Sequence, residues 1–317
     1  LIDGCLYVQG SWAGIETPQA KAFIDSAEVF SHGGGLHAIP IATHIFAQIL
    51  RSIKSIDAHI ALQKQKSWKQ MMSVGELTDM TIGITGFGGI GQEVARLAKA
   101  FRMTVYATKR SPVLSDNLDQ LFEPSELDKM LPLCDFVVNC LPSSPDTQKI
   151  FSTAQFSEMK SSAMFINVGR GESVDEDSLA RALLEQEILC AALDTTDPEP
   201  LDSNSPLWTL ANCFITPHDS AWGPRAPLRA VELFIDNYNR NVCGIICQSD
   251  EYFDLPIPTI MPGINIRELS DNLGQRYNNP KLMKKHPTMY VIGRGIVNCQ
   301  DPLASVIEYK KITYRNK

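Results

Sequence analysis

An α/β fold built on a doubly wound parallel sheet is what this chain predicts, on three observations. Between Thr81 and Thr216, short β-branched runs alternate with amphipathic segments, the pattern of strands crossed over by helices. A glycine-rich stretch, Gly86-Phe87-Gly88-Gly89-Ile90-Gly91, falls between the first of those strands and the helix after it. Polar signals then recur at the C-terminal ends of later strands, where open parallel sheets build their ligand crevice.

The strand candidates are residues 80–85, 103–107, 135–141, 163–168, 189–194 and 213–216, each bounded by Gly, Pro, Asp or Asn. Ahead of them, residues 40–62 read as one long helix with Ile41, Ile45, Ile49, Ile53 and Ile56 on a single stripe. It runs into a polar stretch, 63–70, that suits an interdomain connector. Residues 89–100 put Ile90, Val94, Leu97 and Ala98 at helical spacing. Residues 175–187 do the same with Leu179, Leu183 and Leu184 behind an acidic first turn, and both helices should pack on the sheet. A further helix is expected over 224–238, with Pro224 near its start and Leu228, Val231, Phe234 and Ile235 periodic.

After Gly244 the character changes. Residues 251–317 hold ten Lys and Arg against six Asp and Glu, a charge of +4 where the remaining chain carries −11. Pro, Asn and Gly interrupt the segment often and no periodic core pattern is found, which predicts a loosely ordered extension. The basic run at Lys281, Lys284 and Lys285 reads as solvated surface ahead of the alternative, a contact for an acidic partner.

Composition narrows the function. With 317 residues, 44% hydrophobic and 21% charged, the chain can bury a real core, and its net charge of −7 leaves no basic footprint for nucleic acid. That favours a small-molecule enzyme. No apolar run reaches the roughly 18 residues that span a bilayer, and the first residues lack the basic, apolar and cleavage regions of a signal peptide. A membrane is therefore not expected as a partner, and a cytoplasmic protein is. The eight cysteines are scattered through apolar segments, which suits small buried hydrophobes in a reducing compartment. Only Cys243 and Cys247 lie close together, and with no second Cys or His pair beside them no metal site is expected.

The glycine stretch has the context of a dinucleotide fingerprint, which gives the domain its Rossmann character. Gly86 allows a tight turn, Gly88 lets the backbone approach a pyrophosphate, and Gly91 lets helix and sheet pack closely, while the helix N-terminus offers unpaired amides. Some 20 residues further on, an NAD site would present a carboxylate to the ribose hydroxyls. Here the strand ends in Ala107-Thr108-Lys109-Arg110-Ser111, so a 2′-phosphate should be tolerated and NADP is expected ahead of NAD.

Three later strands end in Asn167-Val168-Gly169-Arg170-Gly171, in Asp194-Thr195-Thr196-Asp197-Pro198-Glu199-Pro200 and in Thr216-Pro217-His218. A guanidinium can hold a carboxylate or polarise a carbonyl, an imidazole can donate a proton near neutral pH, and a carboxylate beside it fixes its tautomer. Each alone has an everyday structural explanation, a buried Arg pair or a helix-capping His. Together, after a dinucleotide fingerprint, they describe a reduction site.

On these motifs, with Val174-Asp175 and Ala192-Leu193-Asp194 leading to Glu199-Pro200-Leu201, the segment from about Leu6 to Gly244 resembles the D-isomer-specific 2-hydroxyacid dehydrogenases. The resemblance implies that Arg170 binds the substrate carboxylate and keto oxygen, that His218 is the acid/base supported by Glu199, and that Asp194 contacts the nicotinamide amide. It implies a cofactor site of Gly86, Gly88, Gly89, Ile90, Gly91, Thr108, Lys109 and Arg110, joined by Leu141, Pro142, Thr147, Val168, Gly169, Arg170, Asp194, His218 and Ser220. It also implies that the run His32-Gly33-Gly34-Gly35-Leu36-His37 binds the substrate carboxylate through backbone amides at Gly34, Gly35 and Leu36, beside Arg170 and His218. His37 and His44, on or near the long helix, are expected to be packed or hydrogen-bonded structural histidines.

The implied architecture is a partial flavodoxin-like substrate domain with the long linking helix over 1–62, the cofactor domain over 63–226, a returning helix over 227–250 and the extension over 251–317. A glyoxylate- or hydroxypyruvate-like 2-oxo acid and a homodimer follow from the resemblance. The sequence departs from the family in three places: roughly 50 to 60 residues of substrate domain are missing from the front, Thr43 stands where many relatives have Glu, and the tail after about Asp250 has no counterpart. These departures keep open an alternative, a dinucleotide-binding regulator or scaffold of the same fold.

Overall fold

The computed structural model describes residues 7–9, 29–31, 33–72, 74–239, 245–246, 259–261 and 289–290. Its elements in chain order begin with β1 (Tyr7–Gln9), β2 (Val29–Ser31), α1 (Ala38–Ile53) and α2 (Ile56–Lys64). Next come β3 (Thr81–Thr85), α3 (Gly89–Ala100), β4 (Thr104–Thr108), β5 (Gln120–Phe122), the short α4 (Leu127–Met130), β6 (Phe136–Asn139), α5 (Thr153–Glu158) and β7 (Met164–Asn167). The remainder are α6 (Glu176–Leu184), β8 (Cys190–Leu193), β9 (Cys213–Ile215), α7 (Ala226–Asn239), β10 (Ile245–Ile246), β11 (Thr259–Met261) and β12 (Met289–Tyr290).

The chain forms two compact units, one over Gly34–Ala226 and one combining the two ends of the chain. In the second unit β1 pairs in parallel with β2, and β10, β11 and β12 form a small parallel sheet, so strands occur inside the segment expected to be loosely ordered. The paired cysteines and the basic run of the tail lie outside the described residues.

Gly34–Ala226 carries the expected doubly wound sheet: seven parallel strands in the order β5-β4-β3-β6-β7-β8-β9. The order reverses between β3 and β6, which places a crevice beyond their C-terminal ends. Both faces are covered, which is why the strand sequences are continuously apolar. On one face Ile45 and Ile49 of α1 and Val94 and Ala98 of α3 pack against Ile82, Ile84, Val138 and Ile166. On the other, Phe151, Phe156 and Phe165 form an aromatic cluster with Met130, Leu179 and Leu183. Each fully buried Ile or Phe contributes roughly 1.5 to 3 kcal/mol.

The helix expected over 40–62 is two helices. Ser55, at φ 49, leaves the helical region and begins α2, with Asp57 in its first turn paired to Arg51 at 2.7 Å. The apolar stripe accordingly stops at Ile53, and Ile56 is exposed. α6 starts where an N-cap should, with the Asp175 carboxylate accepting from the Ser178 amide at 3.0 Å, but it ends at Leu184, whose side chain faces solvent. β5, α4 and α5 were not expected from the pattern. Among the described residues no helix is long and apolar enough to cross a membrane.

Candidate active site

The floor of the crevice is a row of buried polar side chains across the C-terminal ends of β3, β6 and β7 that reaches the backbone just beyond β8. Thr85 of β3 donates to Asn139 Oδ1 at 3.0 Å, and Asn139 Nδ2 donates to Asn167 Oδ1 at 2.9 Å and to Ser173 Oγ at 2.6 Å. Asn167 Nδ2 continues to the Thr195 carbonyl at 3.2 Å, beyond β8. The same amide oxygens accept from the backbone N–H groups of Leu141 and Gly169, both at 3.2 Å, and so set the first bend of the two loops that line the crevice. Beyond Leu141, Thr147 donates to the Pro142 carbonyl at 2.7 Å and closes the following turn.

At the sheet reversal the glycine turn has the shape a pyrophosphate site needs. Gly86 sits at φ 92, and a Cβ on Gly91 would stand 2.6 Å from the Gly86 carbonyl oxygen, so turn and helix can close up only without side chains. The space beside Gly88, the N-cap of α3, is open to 4 Å. These residues fit a dinucleotide phosphate on the amides of α3. Gly34 and Gly35 lie against the same turn: a Cβ on Gly89 would come 2.7 Å from the Gly35 Cα. Leu36 is buried and starts the approach to α1. At the end of β4, Lys109 Nζ donates to the Phe87 carbonyl at 3.1 Å, while Thr108 is buried and Arg110 is exposed.

The loops after β7, β8 and β9 meet. Arg170 lies between Gly169 and Gly171, donates through Nη1 to the Gly169 carbonyl at 3.0 Å, and is half-buried. A Cβ on Gly171 would fall on the Thr196 carbonyl, so the Arg170 loop rests directly on the loop that carries Glu199. In that loop Glu199 Oε1 accepts from the Thr196 amide at 3.3 Å, and its Oε2 is 2.9 Å from His218 Nδ1. A carboxylate accepts, so Nδ1 carries the proton and Nε2 is the nitrogen without one on the neutral ring. Both side chains are over two-fifths exposed. Glu176 braces the loop from behind, accepting from the Asp197 amide at 2.8 Å, while its own burial pushes its carboxyl pKa up.

His218 has a left-handed backbone, φ 54, and Asp194 holds it there. The Asp194 carbonyl accepts from the His218 amide at 2.9 Å. Its buried carboxylate accepts from the Thr216 hydroxyl at 2.6 Å and from the Asp219 and Ser220 amides at 3.2 to 3.3 Å. The sequence motifs single out Arg170, Asp194, Glu199 and His218, name Thr216 without a role, and do not mark Thr85, Asn139 or Ser173. For Thr85 and Asn139 the signal is a polar residue ending an apolar strand. His44 proves hydrogen-bonded, as expected; His37 precedes α1, and its Nδ1 has no hydrogen-bond partner among the described residues.

The domain described as D-isomer specific 2-hydroxyacid dehydrogenase, NAD binding domain, matches residues 46–220. The human glyoxylate reductase/hydroxypyruvate reductase is 39% identical over 154 residues, covering 48% of this chain and 47% of the human one. Glyoxylate/hydroxypyruvate reductase B of Salmonella paratyphi A is 32% identical over 212 residues, 65% of each chain. The chain therefore spans about half to two thirds of the length of these curated relatives. Among solved structures, the NADPH-dependent glyoxylate/hydroxypyruvate reductase of Sinorhizobium meliloti in complex with NADP and sulfate superposes with a TM-score of 0.65 at 28% identity, covering 75% of this chain and 76% of that one.

Proposed function

Because the chain belongs to the D-isomer specific 2-hydroxyacid dehydrogenase family, we propose that it reduces a small 2-oxo acid, of the glyoxylate or hydroxypyruvate kind, to the D-2-hydroxy acid. The carrying observation is the His218–Glu199 pair at 2.9 Å, set beside the Arg170 loop beyond the sheet's C-terminal edge. A reduced nicotinamide dinucleotide, when bound, supplies the hydride. Arg170 binds the substrate carboxylate and stabilises the negative charge that grows on the keto oxygen. His218 gives that oxygen its proton from Nε2, and Glu199 keeps the imidazole in the tautomer and plane that allow it and offsets the charge of the protonated ring. The buried asparagine row holds the loops in place beforehand, so little reorganisation is needed when the ligands arrive.

NADPH is the preferred cofactor in this reading. No carboxylate stands at the end of β4 to repel a 2′-phosphate, and Arg110 is exposed there. The reading also includes a homodimer, for which the exposed Ile56 and Ile60 of α2 offer apolar surface; light scattering on dilution tests it.

The deciding experiment is the loss of reduced-nicotinamide absorbance on mixing the protein with glyoxylate, hydroxypyruvate, pyruvate and phenylpyruvate, with NADPH and NADH in parallel. Turnover is expected, fastest with glyoxylate and hydroxypyruvate. Silence across the panel from a protein that still binds NADPH would refute the reductase.

A further inference from the structure

α1 meets β9 and the residue after it: Arg51 lies over the Phe214 ring, 4.0 Å from its centroid, and His44 Nε2 is 3.5 Å from the Thr216 hydroxyl. Thr216 leads from β9 into the His218 turn, and its hydroxyl is 2.6 Å from Asp194 Oδ1. A carboxylate only accepts, so the single proton of that hydroxyl goes to Asp194. Towards His44 the hydroxyl can then only accept, so a hydrogen bond between the two requires a proton on the imidazole Nε2. The Gln48 amide nitrogen, one turn along the helix, is also 3.5 Å from that ring nitrogen and would donate to it only in the opposite tautomer, which is the outcome that overturns the assignment below. Asp194 in turn gathers the His218, Asp219 and Ser220 amides around a residue at φ 54, a conformation that L side chains rarely adopt and that needs outside support.

We propose that His44 is a positioning residue for His218, its Nε2–H fixing Thr216, whose hydroxyl fixes the Asp194 carboxylate that holds the catalytic turn. The assignment rests on the reading of His218 as the acid. It places the third link of the site on α1, where neither the glycine fingerprint nor the strand-end motifs point. No step in it transfers an electron or a bond; its effect is on where the imidazole of His218 stands when substrate arrives.

Nitrogen-15 histidine spectra of the full chain at about pH 8.5, where a free imidazole is neutral, test the link without any turnover. The signal identified by its loss in His44→Phe is expected to show a protonated Nε2 and a bare Nδ1, a preference that Thr216→Val abolishes. A protonated Nδ1 with a bare Nε2 would overturn the proposal, because Thr216 would then have no donor. If the protein reduces no 2-oxo acid, the reductase reading fails while this measurement still decides the link. On the active protein, His44→Phe and Thr216→Val are each expected to lower kcat about tenfold with NADPH affinity little changed, and the double variant to be no worse than the poorer single one. His44→Gln, whose amide nitrogen stands near the Nε2 position, should recover most of the loss where His44→Asn does not. Additive losses in the double variant, or His44→Gln as damaging as His44→Phe, would also overturn it.

Discussion

His218 Nδ1 lies 2.9 Å from Glu199 Oε2, so the carboxylate fixes the proton of the neutral ring on Nδ1. Replacing His218 with Gln removes the proton donor, and kcat is expected to fall by about 10² to 10⁴-fold while NADPH affinity stays nearly the same. Glu199→Gln keeps the donor but loosens its tautomer and should fall roughly tenfold to a hundredfold. Steady-state kinetics beside fluorescence titration of NADPH check both; unchanged turnover in His218→Gln would remove it from the mechanism.

Arg110 is exposed at the end of β4, whereas Lys109 already donates to the Phe87 carbonyl at 3.1 Å. Arg110→Ala should therefore weaken NADPH binding about tenfold, the worth of one charge-assisted hydrogen bond of ~1.5 kcal/mol, and leave NADH binding unchanged. Equal weakening of both cofactors would place Arg110 away from the 2′-phosphate.

Gly171 is where the β7 and β8 loops touch, and a methyl there would fall on the Thr196 carbonyl. Gly171→Ala is expected to destabilise the fold by about 1 to 3 kcal/mol and to lower kcat by moving Arg170 against Glu199. Thermal unfolding and kinetics on the same sample would reveal it; a variant with wild-type Tm and turnover contradicts the contact.

Thr195 is 2% exposed, and its hydroxyl has no hydrogen-bond partner among the described residues. A buried hydroxyl without a partner costs about 1 to 3 kcal/mol, and Val has nearly the same shape. Thr195→Val should raise the urea midpoint with no change in the slope; a lower midpoint means the hydroxyl has a ligand or water partner.

Burial pushes the thiols of Cys134, Cys140 and Cys213 up to about 12. A pKa raised on folding stabilises the native state below the ordinary thiol range, near 9, and that stability is lost as pH climbs from there towards 12. The native protein should resist iodoacetamide at these three positions, and its denaturant midpoint should decline above about pH 9. Replacing the three by Ala should flatten that part of the decline. Rapid native alkylation of Cys140, which is only partly buried, would contradict its raised thiol pKa.

The sheet was legible because six of its strands carry continuous apolar runs between turn residues, and the site because its residues stand at fixed places after those runs. What escaped the sequence is short or cooperative. β5 is three residues, Gln120-Leu121-Phe122, too few to show a period, and it forms because β4 offers an open edge. The break between α1 and α2 leaves the isoleucine spacing intact on paper, since Ile56 keeps its place on a helical wheel; only the Ser55 backbone turns it outward. Thr216 and His44 are 172 residues apart, and nothing local marks their meeting.

The buried row from Thr85 through Asn139 and Asn167 to Thr195 has a consequence for how such a chain can change over time. Each asparagine holds one neighbouring strand and one loop at once, so replacing either strands several polar groups together, with no single compensating change at hand. Variation is thereby steered upward, into loop residues that choose which acid or which cofactor is accepted, while the ledge beneath stays fixed. New substrates can be tried on this sheet without rebuilding it.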